Sequence, residues 1–327
     1  MWSTTLINYV NKKLGGIPHM FNESPFYKVN STLRKAGLQF EMTKPEKDKL
    51  KKYVNDPILF TESLSTTLEN EDKRKLKLRD YQKEIIRDYA SKPKNLIFCS
   101  RQTGVVSTLA AACLHHIISN PNKKIALFFI KKQFAQEFIS KLEEYMCSMD
   151  FAFRPGIEAH NKYSFKFENG AEIEAKAYNT HTLKNFVPAG YDWIIFNDCG
   201  HESEIKMYFN AVKEYEEESG KTIKVWGVSI GYQYVNHFFE LFDQSTKKLN
   251  DYTSSKIEWW RVDGRDAKWK AAQIKELGSE ERFNQEYECR FSNKHFDVVT
   301  FKIPVHKMSS DELEEIKNKF KEYLVTI

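Results

Sequence analysis

Beyond Pro93, short apolar runs alternate with stretches whose apolar positions recur at helical spacing, the layout of a β-α-β series. The runs predict strands over 95–99, 124–130, 164–167, 171–177, 193–197 and 224–229, with helices between them over 107–119, 133–149, 204–218 and 234–249. A mainly parallel, buried sheet flanked by helices, an α/β fold, follows from that order. Asn169-Gly170 between two alternating runs marks a hairpin and one antiparallel excursion. After Asp251 the pattern predicts an aromatic strand over 258–262 and helices over 267–276 and 280–288.

The N-terminal part reads differently. Gly15, Gly16, Pro18 and Pro25 break the first forty residues, leaving one short helix near 3–14. A charged helix over 45–53 then runs into Asp56-Pro57 and a second helical turn with Ile58, Leu59 and Phe60. Lys73, Arg74, Lys75, Lys77 and Arg79 form a basic run whose plain reading is a solvated face. It leads into a helix with Ile85, Ile86 and Tyr89 on one side. The expected organisation is an extension and small helical subdomain over 1–66, a main lobe over 67–293, and a tail over 294–327. That tail carries a strand-like stretch at 298–301 and a helix with Ser309 as N-cap and Glu312 closing a capping box. Leu313, Ile316, Phe320 and Leu324 fall on one helical face, which either packs on the body or docks on a partner.

Composition narrows the classes. Fifty Lys and Arg against 45 Asp and Glu give a net charge of +5 over 327 residues, which permits nucleic-acid contact without arguing for it. Five dispersed cysteines with no paired spacing fit a reduced, intracellular protein rather than a zinc or disulfide scaffold. No window approaches a membrane span and no leader pattern opens the chain, so neither export nor a membrane is expected.

Chemistry in such a fold sits where the first strand turns into its helix. Ser100-Arg101-Gln102-Thr103-Gly104-Val105-Val106, between a strand ending at Cys99 and an Ala-rich helix, has the layout of a phosphate-cradling loop. It lacks the lysine that such a loop uses for phosphate oxygens, and no lysine occurs from Asn95 to Asn122. A single glycine in a strand-turn-helix is also met for purely steric reasons. At the end of the strand over 193–197, where a P-loop ATPase would carry a magnesium-binding Asp and a water-orienting Glu, stand Asn197 and Asp198. Asn is a neutral, weaker ligand for a hard cation, and Asp is one methylene shorter than Glu. The structural alternative is that both simply end a buried strand.

Taken in order, these segments resemble the large terminase subunits of myovirus-type tailed phages, DNA-packaging motors, from about 43 to 292. Leu-Arg-Asp-Tyr-Gln at 78–82 resembles the family's adenine motif, which places Tyr81 and Gln82 in it. Ser-Arg-Gln-Thr-Gly at 100–104 matches its Walker A loop. Ala175-Lys176-Ala177 with Lys184, the stretch 230–239, Gly264-Arg265-Asp266 and Gln285-Glu286-Tyr287 look like its later signatures. The resemblance implies a P-loop (RecA/ASCE-like) lobe. It also implies a vestigial nucleotide site of Tyr81, Gln82, Arg101, Gln102, Gly104, Val105 and Val106, and vestigial catalytic positions Asn197, Asp198 and Ser229.

The departures from the family pattern point to a pseudo-ATPase. Val105 and Val106 replace the lysine and the magnesium hydroxyl, and are expected to fill the phosphate space. No cofactor is expected, with weak ATP and magnesium binding through Arg101 as the alternative, and no metal site. Some 35 residues after Phe291 cannot hold the family's nuclease domain. The expected partner is a phage protein such as a portal, neck or terminase subunit, with DNA the lesser choice. The expected place is the host cytoplasm or the virion. The competing reading is an active but deviant packaging ATPase using Arg101 and Asp198, its nuclease on another chain; a helicase-like nucleic-acid binder is a third. Core or surface roles are expected for His115, His116, His201 and His237, and packing for Trp259 and Trp260.

Overall fold

The computed structural model describes residues 24–30, 33–38, 41–67, 73–231 and 236–290. The helix near 3–14, the tail strand and helix, and the docking face of Leu313, Ile316, Phe320 and Leu324 lie outside these residues.

The strands are β1 (Ser65–Thr67), β2 (Lys73–Lys75), β3 (Lys94–Cys99), β4 (Lys124–Phe129), β5 (Ile157–Asn161), β6 (Ser164–Phe167), β7 (Glu172–Ala177), β8 (Trp193–Asn197), β9 (Lys224–Ser229) and β10 (Thr253–Ile257). β1 and β2 form a small antiparallel ribbon. The other eight make one sheet in the order β10-β3-β9-β8-β4-β7-β6-β5. Every pairing from β10 across to β7 is parallel, and β6 pairs antiparallel with both β7 and β5.

The continuous apolar runs exist because each central strand buries both faces. Ile97, Ile125, Leu127, Trp193, Ile195, Trp226 and Val228 point into one core, which also takes in Phe60 and Leu64 from the N-terminal helices. Their neighbours Leu96, Phe98, Ala126, Phe128, Ile194, Phe196 and Val225 point into a second core on the opposite face. The helices Asp80–Ser91, Val105–Ser119 and Lys132–Ser148 supply the first core, and Ile205–Ser219 and His237–Thr246 the second. Full burial of one such side chain contributes about 1.5–3 kcal/mol. A third, small cluster of Trp259, Phe283 and Tyr287 builds a helical satellite after β10.

Several sequence expectations need correction. The predicted strand over 258–262 is a 3₁₀ turn, Trp259–Arg261, and the strand is the preceding polar stretch β10. Trp259 stacks on Trp269, their ring centroids 5.6 Å apart, so satellite packing rather than a sheet claims it, whereas Trp260 is 60% exposed and is not packed as expected. β5 was not predicted; only Ile157 of it is buried. The first helix of the series begins at Val105, and the later one spans His237–Thr246. Part of the basic run is strand β2, although Arg74, Lys75 and Lys77 are solvated as expected.

The histidines of the Ala-rich helix are structural. His115 Nδ1 lies 3.0 Å from the Tyr89 hydroxyl and its Nε2 lies 3.0 Å from the Tyr53 carbonyl, tying the helix Lys44–Asn55 to the core. Burial lowers the pKa of both, that of His116 to about 4, so both are neutral at pH 7. Among the described residues no helix is long and apolar enough to cross a membrane.

Candidate functional site

The sheet order brings the carboxyl ends of β3, β9 and β8 side by side, the crevice where open α/β sheets place their ligands. The loop after β3 leaves the sheet with Ser100 N donating to the Ile257 carbonyl at 2.7 Å. It turns through two left-handed residues, Gln102 at φ 57° and Gly104 at φ 75°, into the helix Val105–Ser119. No side chain caps that helix, so first-turn N–H groups are left for the cleft.

A Cβ on Gly104 would lie 2.9 Å from Gln82 Nε2, and its φ disfavours any side chain. Gly104→Ala should lower the unfolding free energy by about 1–2 kcal/mol, measured by urea denaturation. An unchanged midpoint would mean that the loop does not turn at this residue.

Remote residues hold the loop in place. Tyr81 donates its hydroxyl to the Thr103 carbonyl at 2.8 Å. Gln82 donates to Thr108 Oγ1 at 3.1 Å and accepts from the Arg79 N–H at 2.9 Å. These two residues of the adenine-like motif thus brace the loop and its helix. From the satellite, Arg265 Nη1 donates to the Arg101 carbonyl at 3.0 Å and Nη2 to the Gln102 carbonyl at 3.1 Å. The Arg265 guanidinium lies 4.5 Å from the Trp269 ring centroid, which fixes its fork. Arg101 N donates to the Glu286 carbonyl at 2.9 Å, and Arg101 Nη1 pairs with Glu286 Oε2 at 2.6 Å. Gly231, in the signature-like stretch 230–239, packs so tightly here that a Cβ would sit 2.3 Å from the Gln285 carbonyl oxygen. Residues 232–235 of that segment lie outside the described residues.

Between the loop, the end of β4 with its following helix, and the end of β8 lies a cleft of about 730 Å³. Val105 and Val106 do not both fill it. Val105 is buried in the first core, whereas Val106 is 39% exposed on the cleft wall. Successive helical residues point about 100° apart, so only one of the pair can face the core. The cleft's charges balance: Arg101, Lys131 and Lys141 face Glu137, Asp198 and Glu286. Ser100 Oγ lines it, buried and without a hydrogen-bond partner.

At the end of β8, Asn197 is buried and its Nδ2 donates to Asp198 Oδ2 at 2.8 Å. Asp198 adopts φ 52°, and burial pushes its carboxyl pKa up to about 6 while the Arg101 charge pulls the other way. Ser229 Oγ accepts from Gly200 N at 3.1 Å and donates to the Ile230 carbonyl at 2.8 Å, joining the turn after Asp198 to the end of β9. No group of three or more His, Cys, Asp or Glu able to hold a metal occurs among the described residues. The structure therefore gathers Arg101, Gln102, Gly104, Val105, Val106, Asn197, Asp198 and Ser229 around one cleft, with Tyr81 and Gln82 directly behind the loop. Sequence reasoning marked the Gly264-Arg265-Asp266 and Gln285-Glu286-Tyr287 signatures but gave them no contact, and placed Ser100 in the loop without giving it a role at the site.

Residues 96–298 match the family model described as terminase large subunit, T4likevirus-type, N-terminal. The chain belongs to this family. Among solved structures, the large terminase ATPase domain of Thermus phage P74-26 superposes with a TM-score of 0.54 at 14% identity, covering 66% of this chain and 94% of that one. The large terminase of bacteriophage HK97 gives 0.54 at 14% identity, covering 72% of this chain and 54% of its own length. At such identity the likeness concerns the fold alone, and the chain spans about half of the HK97 protein. In this terminase-type lobe the loop, Asp198 and the β9 terminus stand at the carboxyl ends of neighbouring parallel strands.

Proposed function

We propose that this terminase-type lobe is a pseudo-ATPase that serves as a binding or structural component of phage DNA packaging or head–portal–neck assembly. The observation that carries the reading is Val105: the residue following the loop glycine is an aliphatic side chain 3% exposed in the core, where a phosphate-binding lysine is required. A magnesium-nucleotide fits the remaining residues poorly. Val106 offers no hydroxyl to the metal, Asn197 is neutral and already donates to Asp198, and the cleft's three cations are matched by three carboxylates. Each lost charge stabiliser costs about 10²–10³ in rate, so these losses together leave negligible turnover. The partner we favour is another phage protein, met in the host cytoplasm or the virion. The charge of +5 is too small for strong non-specific DNA affinity at physiological salt.

Calorimetry with ATP and magnesium is expected to show no binding tighter than about 1 mM, the bottom of the ordinary affinity range. Micromolar binding, or DNA-stimulated phosphate release that disappears in Arg101→Ala, would overturn the proposal in favour of a deviant ATPase using Arg101 and Asp198.

A further inference from the structure

We infer that the Glu286 carboxylate is a built-in anion for the loop: it occupies Arg101 at the mouth of the cleft and thereby closes the cleft to oxyanions from solution. The inference rests on reading the cleft as a phosphate-type cradle without its lysine, and it supplies a second, intramolecular reason for that cradle to stay empty.

The loop keeps features that draw an oxyanion. The 15-residue helix Val105–Ser119 presents an uncapped N-terminus, and Ser100 Oγ is 1% exposed, unpartnered and on the cleft wall. Arg101 is the cation the loop itself contributes. Its side chain is 55% exposed, whereas that of Glu286 is only 13% exposed. The carboxylate is thus fixed in the wall while the arginine reaches over to it. A second cation, Arg282, stands 3.8 Å from the other carboxylate oxygen, so Glu286 is anchored from both sides.

The side-chain pair is not what seats the loop. The Arg101 N–H bond to the Glu286 carbonyl and the two Arg265 bonds to loop carbonyls involve no atom of the Glu286 carboxylate. Removing its charge therefore frees the guanidinium without releasing the loop. One recovered charge-assisted hydrogen bond raises anion affinity by about tenfold.

The experiment titrates inorganic phosphate into the full chain at low ionic strength by calorimetry. Glu286→Gln should bind phosphate about tenfold more tightly than the unmodified protein. Adding Arg101→Ala to that variant should return the affinity to its starting value. Glu137→Gln, which changes net charge equally in the same cleft without touching Arg101, should give less than about a twofold gain. The inference is overturned if Glu286→Gln binds no more tightly, if the gain survives Arg101→Ala, or if Glu137→Gln matches it. Should circular dichroism show Glu286→Gln to be unfolded, Glu286→Asp, which withdraws the carboxylate by one methylene, must show a smaller gain in the same direction; no gain there overturns it too. Magnesium-ATP binding by the unmodified protein would sink the pseudo-ATPase reading, yet this comparison of variants would still be decided by its own ratio.

Discussion

Replacing Asp198 by asparagine should stabilise the protein by about 2–3 kcal/mol at pH 7.5 and leave it unchanged below about pH 4. Burial holds the folded carboxyl near pH 6, against about 3.9 in an unfolded chain. Between those values the native state carries the extra proton, so stability falls as pH rises through the window, and the full cost is present above it. Asparagine removes the charge, keeps an oxygen to accept from Asn197 Nδ2, and suits the left-handed backbone at φ 52°. Urea denaturation at several pH values checks this, with the variant losing the downward slope between pH 4 and 6. A destabilised variant at pH 7.5 would show that the negative charge is held by more than Arg101.

The opposite change should be costly. Asn197→Asp replaces the donor that faces Asp198 by a second carboxylate at a position 4% exposed, where the half-exposed Arg101 is the cation whose charge already acts on Asp198. Leaving a buried charge uncompensated costs about 3–5 kcal/mol. For a domain of this size that corresponds to a fall in melting temperature on the order of 6–20 °C at pH 7.5. Lowering the pH to about 4.5 should recover part of the loss, because one member of a carboxylate pair then holds a proton. Excess magnesium should recover part as well, by standing between the two acids. An equal melting temperature in the two proteins would mean that the paired acids of an active site are tolerated here, and would remove one support of the pseudo-ATPase reading.

How much was legible in the sequence depended on the range of the forces involved. The central strands β3, β4, β8 and β9 declared themselves because both faces are buried, so the run itself is the signal. β10 did not, since Thr253 to Lys256 are an edge strand held by backbone pairing to β3 and only Ile257 is buried. The aromatic stretch beside it misled because Trp259 finds its partners in a helical satellite rather than in the sheet. At the site, the loop was readable because a left-handed turn favours glycine, and the β8 terminus because polar Asn197 and Asp198 end an apolar run. The grip of Arg265 and Glu286 was not, because a guanidinium meeting loop carbonyls from 164 residues away leaves no local pattern. The exposure of Val106 was likewise invisible until the helix start at Val105 fixed which valine faces inward.

The strand order also sets a timetable for synthesis. β3 is the first strand of the large sheet to be made, yet both of its neighbours, β9 and β10, come far later in the chain. At about 5–20 residues per second, the strand that carries the loop waits on the order of ten seconds or more with both hydrogen-bonding edges open. The satellite that clamps the loop is made later still. Long-range parallel pairing of this kind is slow and exposes sticky edges, so the nascent lobe is a natural client for a chaperone until β10 closes the far side of β3.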